Sequence, residues 1–116
     1  MKLKYLDVIL VDFGKEVVGS EQGGIRPAIV VQNNVGNKYS NTTIVMPCTS
    51  QMKKLTQPTH TILRKSKESG LTKDSVVEGE GIRQISEERI IRYLGKITNE
   101  KEKNEIKRVY YANIEN

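Results

Sequence analysis

Leu6-Asp7-Val8-Ile9-Leu10-Val11-Asp12-Phe13 places apolar side chains at both odd and even positions. Successive strand residues point to opposite faces, so this near-continuous run predicts a strand covered on both sides, as in a compact barrel core. Outward from it, Pro27 to Gln32, Thr42 to Pro47, Thr59 to Leu63 and Ser75 to Ile85 are further β-branched or apolar runs, separated by polar, glycine-containing loops. Short strands at this spacing predict a small barrel or sandwich. Ser86 ahead of Glu87 and Glu88 offers an N-cap with two acids behind it, predicting a helix of about one turn. Tyr93-Leu94-Gly95-Lys96-Ile97 reads as a last strand. Asn99 followed by Glu102 is a capping-box-like start, and Ile106, Val109, Tyr110 and Ile114 share one helical face, so a terminal helix is expected over Glu100 to Asn113. The fold class is therefore mainly β with a C-terminal helix. No internal repeat or low-complexity segment interrupts it.

The chain has 116 residues, the length of one ordinary domain, and is read as a single unit over residues 1–116. A hydrophobic content of 36% supports one core and is modest enough to leave an apolar face for a partner. With 19 Lys+Arg against 14 Asp+Glu the chain is basic, which suits a phosphate-rich partner, although small soluble domains carry net charges of about 2 to 8 for solubility alone. Cys48 is the single cysteine and has no internal disulfide partner. The sequence shows no secretory leader and no run of about 18 apolar residues, so a cytoplasmic, soluble protein without a membrane partner is expected. Cys/His clusters at metal-ligand spacing, a Walker glycine loop and a Gly-x-Ser-x-Gly elbow are all missing, so any catalysis is expected to need neither metal nor cofactor.

The chemistry concentrates in Gly19-Ser20-Glu21-Gln22-Gly23-Gly24-Ile25-Arg26-Pro27-Ala28-Ile29-Val30-Val31-Gln32-Asn33. A polar glycine-rich loop runs through one arginine straight into a hydrophobic strand. Glycines permit backbone angles closed to other residues and Pro27 fixes φ, so Arg26 sits at the fixed end of a permissive loop. A guanidinium there can grip two phosphate oxygens at once. The competing reading is a surface arginine paired with Glu16 or Glu21.

This block, together with Asn37, Thr42-Thr43-Ile44-Val45 and Pro58-Thr59-His60, resembles the MazF/PemK family of toxin endoribonucleases, the mRNA interferases of bacterial type II toxin–antitoxin pairs. The likeness is close over residues 7–60, moderate over 74–97 and weak beyond. It implies an SH3-like small β-barrel of the PemK/CcdB type, usually a homodimer whose interface forms an RNA groove. It also implies a single-stranded mRNA substrate, and a MazE-like antitoxin whose acidic, disordered segment folds across that groove. Arg26 matches the family's catalytic arginine and Thr49, closing the strand Thr42 to Thr49, its catalytic threonine. A metal-free enzyme of this kind uses the RNA's own 2′-hydroxyl as nucleophile, giving a 2′,3′-cyclic phosphate and a 5′-hydroxyl end. Ser20 and Gln22 fall on the loop that meets RNA in the family, Lys53 lies in a basic cluster that can extend the RNA track, and Arg83 is a groove or structural residue.

Other readings stay open on the residues alone. His60 has the side chain suited to proton transfer near neutral pH and is a rival base, although the family's Pro-Thr-His stretch reads as a turn into a strand. Lys54, Arg64, Lys65 and Lys67 are either solvated surface or diffuse phosphate contacts. Glu78, Gly79 and Gly81 depart from the family's usual residues, so the strand over Ser75 to Ile85 is expected to be bulged or altered. Two other functions remain as alternatives: a non-catalytic CcdB-like toxin binding DNA gyrase, and a simple basic RNA-binding module.

Overall fold

The computed structural model describes residues 2–15, 23–51 and 57–115. Its strands are β1 (Asp7–Asp12), β2 (Ile25–Val30), β3 (Thr42–Thr49), β4 (His60–Leu63), β5 (Ser75–Glu78), β6 (Arg83–Ser86) and β7 (Ile90–Lys96). Two helices join them: α1 (Asn34–Tyr39) between β2 and β3, and α2 (Glu100–Ala112) after β7. The strands form one antiparallel sheet in the order β4-β5-β3-β2-β1-β7, with β6 paired to β3 beside β5.

Each side of this sheet buries its own apolar cluster. Val8, Ile29, Met46, Cys48, Leu63 and Val77 pack with Ile106 and Val109 of α2 on one side. Ile9, Val11, Ala28, Val30, Val45 and Ile85 form the other. β1 contributes to both, and Val8, Ile9 and Val11 are fully buried, as the continuous apolar run requires.

Curling of the sheet makes it barrel-like without a β4–β7 ladder. The connection after β4 instead settles on β7, where the Lys96 N–H donates to the Glu68 carbonyl at 2.8 Å. Gly70 makes this approach possible: its φ is +73°, and a Cβ there would drive into the Leu94 carbonyl.

Four features differ from the sequence reading. The run Ser75 to Ile85 is not one strand, because a 3-10 turn at Gly79–Gly81 divides it into β5 and β6. Gly79 packs so closely on Val109 and the Thr59 carbonyl that no side chain fits. The last strand begins at Ile90 rather than Tyr93. Helix α1 was not expected, since its six residues include Gly36 and show no apolar period; it is held by Asn33, whose side chain accepts from the Gly36 N–H, and by buried Asn37, which joins Gln32 and Thr43. Finally, α2 buries Ile106 and Val109 as expected, but Tyr110 and Ile114 on the same face are exposed at 41% and 66%. Its N-cap forms, with Asn99 accepting from the Glu102 N–H, while the Glu102 carboxylate turns away to the Arg64 N–H.

Substituting Gly70→Ala forces a side chain into a left-handed backbone and against β7. We expect a loss of about 2–4 kcal/mol, read as a lower urea midpoint at unchanged m-value. A midpoint within error of the parent would show that the connection is not fixed to β7.

Candidate active site

Two prolines shape the place where β2 and β3 part. Their register pairs Val30 with Val45, Ile29 with Met46 and Ala28 with Pro47. Val31 N–H donates to the Ile44 carbonyl at 2.9 Å. Hydrogen-bonded pairs alternate along an antiparallel ladder, so the bonded positions are 31/44, 29/46 and then 27/48. Position 27 is proline and has no N–H to offer, and the pairing stops one residue short of it. Pro47 faces the opposite edge of β3. It falls between the stretch paired with β6, Thr42 to Val45, and the stretch paired with β5, Cys48 and Thr49, where the 3-10 turn interrupts the neighbouring strand.

Beyond Pro27 a cleft of about 490 Å³ opens. Arg26 and Pro27 form one wall, Thr49 and Gln51 a second, and Thr72 and Lys73 of the β4–β5 connection a third. Arg26 of β2 and Thr49 of β3 both line this cleft, beyond the last paired residues, Ala28 and Pro47. Arg26 is half-buried, and its Nε donates to the Gly23 carbonyl at 3.0 Å, which orients the guanidinium; its terminal nitrogens bond no described residue. It makes no ion pair with any described residue. The Thr49 hydroxyl accepts from the Gln51 N–H at 3.2 Å and retains its own proton to donate. A planar cation and a hydroxyl that can donate line one cleft, and suit an anion with several oxygens.

Cys48 lines the same cleft but is not a nucleophile. It is fully buried, and burial, aided by the Glu78 charge and opposed by Arg26, pushes its thiol up to about 12. A thiol so placed stays protonated at any physiological pH.

The fold separates the remaining candidates from this pair. His60 opens β4, is 7% exposed and is absent from the cleft lining; its Nε2 lies 2.8 Å from Glu80 Oε2. Burial raises the Glu80 carboxyl, but hydrogen bonds from His60, its own backbone N–H and Thr59 outweigh this and hold it below its ordinary range. His60, Glu78 and Glu80 bring donor atoms within 4.8 Å of one another, a grouping that linear spacing did not suggest, because β4 and β5 set His60 directly across from Glu78. Arg83, opposite Val45, stands over the Phe13 ring at 5.5 Å from its centroid rather than in the cleft. Arg64 is tied to Asp74 at 3.0 Å and, like Lys65 and Lys67, is outside the cleft lining. Ser20, Gln22, Lys53 and Lys54 lie outside the described residues, as do Glu16 and Glu21. Lys73 and Thr72 line the cleft although nothing in the sequence marked them; only the folding of the β4–β5 connection brings them to Arg26.

The chain is similar to known proteins over most of its length. The family model described as PemK-like, MazF-like toxin of type II toxin–antitoxin system matches residues 4–109. The chain is 45% identical over 97 residues to the endoribonuclease MazF of Staphylococcus saprophyticus, covering 84% of this chain and 79% of that protein. It is 44% identical over 90 residues to the endoribonuclease EndoA of Bacillus subtilis, covering 78% and 76%. In fold it is similar to MazF from Deinococcus radiodurans, with TM-score 0.75 and 20% identity over 97% of this chain and 93% of the other. A mycobacterial endoribonuclease in complex with its cognate antitoxin superposes with TM-score 0.72 and 21% identity over 92% and 89%.

The state of Cys48 is directly testable. At pH 8 the native thiol should react with a disulfide reagent at least about a hundredfold more slowly than the same thiol in guanidinium chloride. Equal rates would show an accessible, ionisable cysteine at the cleft.

Proposed function

The chain belongs to the PemK-like, MazF-like toxin family of type II toxin–antitoxin systems, and we propose that it is a metal-independent endoribonuclease that cuts single-stranded mRNA at a phosphate held between Arg26 and Thr49. The observation that supports this reading is that Arg26 and Thr49 line one cleft where the β2–β3 pairing ends at Ala28 and Pro47.

In the proposed reaction the 2′-hydroxyl oxygen bonds to the adjacent phosphorus, the bond from phosphorus to the 5′-oxygen breaks, and the products are a 2′,3′-cyclic phosphate and a 5′-hydroxyl. The terminal nitrogens of Arg26 grip the non-bridging oxygens as negative charge grows on them. Thr49 donates its hydroxyl to the same group and fixes it for in-line attack. Guanidinium holds its proton near neutral pH, so Arg26 acts through charge rather than as a proton shuttle. His60 lies off the cleft lining and bonded to Glu80, which supports a structural role for it. DNA lacks the nucleophile and is inert.

The formal net charge of +5 and the two cations lining the cleft, Arg26 and Lys73, support two competing polyanionic occupants, RNA and an acidic antitoxin segment. Complexes of related folds with an antitoxin favour the same regulation here. Exposed Tyr110, Tyr111 and Ile114 at the end of α2 support association with a second copy. Among the described residues no helix is long and apolar enough to cross a membrane, in keeping with a cytoplasmic site of action.

The test is to incubate the purified chain with a long single-stranded RNA in EDTA beside Arg26→Ala, and to map fragment ends. Discrete cuts bearing cyclic phosphate and 5′-hydroxyl ends are expected, with a rate loss of at least about 10²–10³ in the variant at unchanged melting temperature. Intact RNA from a folded parent protein would reject the endonuclease reading in favour of a toxin acting on a protein target.

A further inference from the structure

Three positive or hydroxyl-bearing walls meet at the cleft, and the third has no role in the chemistry above. Lys73 is exposed on that wall, 47 residues from Arg26 in sequence, and reaches the cleft through a connection whose backbone is fastened on both sides. Ahead of it, Ser66 and Ser69 bond each other at 2.9 Å, Ser69 accepts from the Leu71 N–H, and Leu71 is buried in the main core. Behind it, the Ser75 hydroxyl donates to the Lys73 carbonyl at 3.0 Å. The adjacent carboxylate is turned away: Asp74 accepts from the Lys65 N–H at 2.8 Å and from Arg64 at 3.0 Å. The Lys73 ammonium therefore has no acidic partner among the described residues, on a backbone that cannot drift from the cleft.

We propose that Lys73 is a positioning residue that binds the RNA phosphate next to the one held by Arg26 and Thr49. Two cations lining one cleft suit the repeated charge of a nucleotide chain. Lysine is a compact point charge on a flexible stem, suited to a phosphate whose geometry need not be fixed, whereas the fork of Arg26 suits the reacting one. Its contribution falls on substrate binding and register and disappears with salt.

This inference rests on the endonuclease reading, and one series of measurements separates the two. Cleavage and binding are measured for the parent, Lys73→Ala and Lys73→Arg, the binding with an RNA carrying a 2′-deoxy nucleotide at the mapped cut so that it stays intact. For Lys73→Ala we expect KM and Kd to rise about tenfold at low salt, kcat to change less than about threefold, and the slope of log K against log salt to shrink by about 0.7, the value for one lost contact to a single strand. Lys73→Arg should restore the slope. Lys73 has no side-chain partner among the described residues, so all three proteins should melt alike. A parent that cuts RNA while Lys73→Ala keeps its Kd and salt slope would overturn the Lys73 assignment alone; a folded parent that neither binds nor cuts would overturn the reading beneath it.

Discussion

The cleft depends on one missing hydrogen-bond donor. An antiparallel ladder closes residue by residue as long as each bonded pair can exchange N–H and carbonyl. At the 27/48 position β2 presents proline, and the ladder that joins Ala28 to Pro47 goes no further. A sheet interior tolerates such a loss poorly, and proline is ordinarily confined to edges and bulges. Here the same residue ends the pairing, and the two strands separate with Arg26 and Thr49 both lining the cleft beyond it. β1 holds the other edge of β2 through Leu10, Val11 and Asp12, so Arg26 remains anchored although its β3 partner has moved off.

Much of this was legible in the sequence because local chemistry and tertiary need coincide. The β1 run could only be a strand covered twice, and it feeds both apolar clusters. The N-cap at Asn99 and the pair Ile106 and Val109 specify α2 without reference to anything distant. Where sequence and structure part, a long-range contact decides. Ser75 to Ile85 has the composition of one strand, yet Gly79 is pressed against Val109 and Thr59 and the chain turns there. Helix α1 is built by the side chains of Asn33 and Asn37 and not by an apolar stripe, and so it leaves no periodic trace.

For the site, type of residue was readable and assembly was not. Arg26 stood out from its own neighbours, and Thr49 only through a family likeness. That they share a cleft follows from where the β2–β3 pairing ends. His60 has the chemistry of a base, but its position at the head of β4 commits it to Glu80, and Arg108 of α2 holds the backbone there by donating to the carbonyls of Pro58 and His60. Glu80, Thr59 and Arg108 together fasten the start of β4 to the turn after β5 and to the last helix. Cys48 illustrates the same separation: a thiol on the cleft wall that burial keeps protonated.

The central claim is that Arg26 and Thr49 act on one phosphate. It is tested most directly by a double-mutant cycle of Arg26→Lys and Thr49→Val in single-turnover cleavage of one defined RNA. Groups that hold the same reacting atoms are not independent, so the double variant should cleave little more slowly than the worse single variant. Losses that multiply fully would place the two side chains on separate steps or separate parts of the RNA, and would contradict the site described.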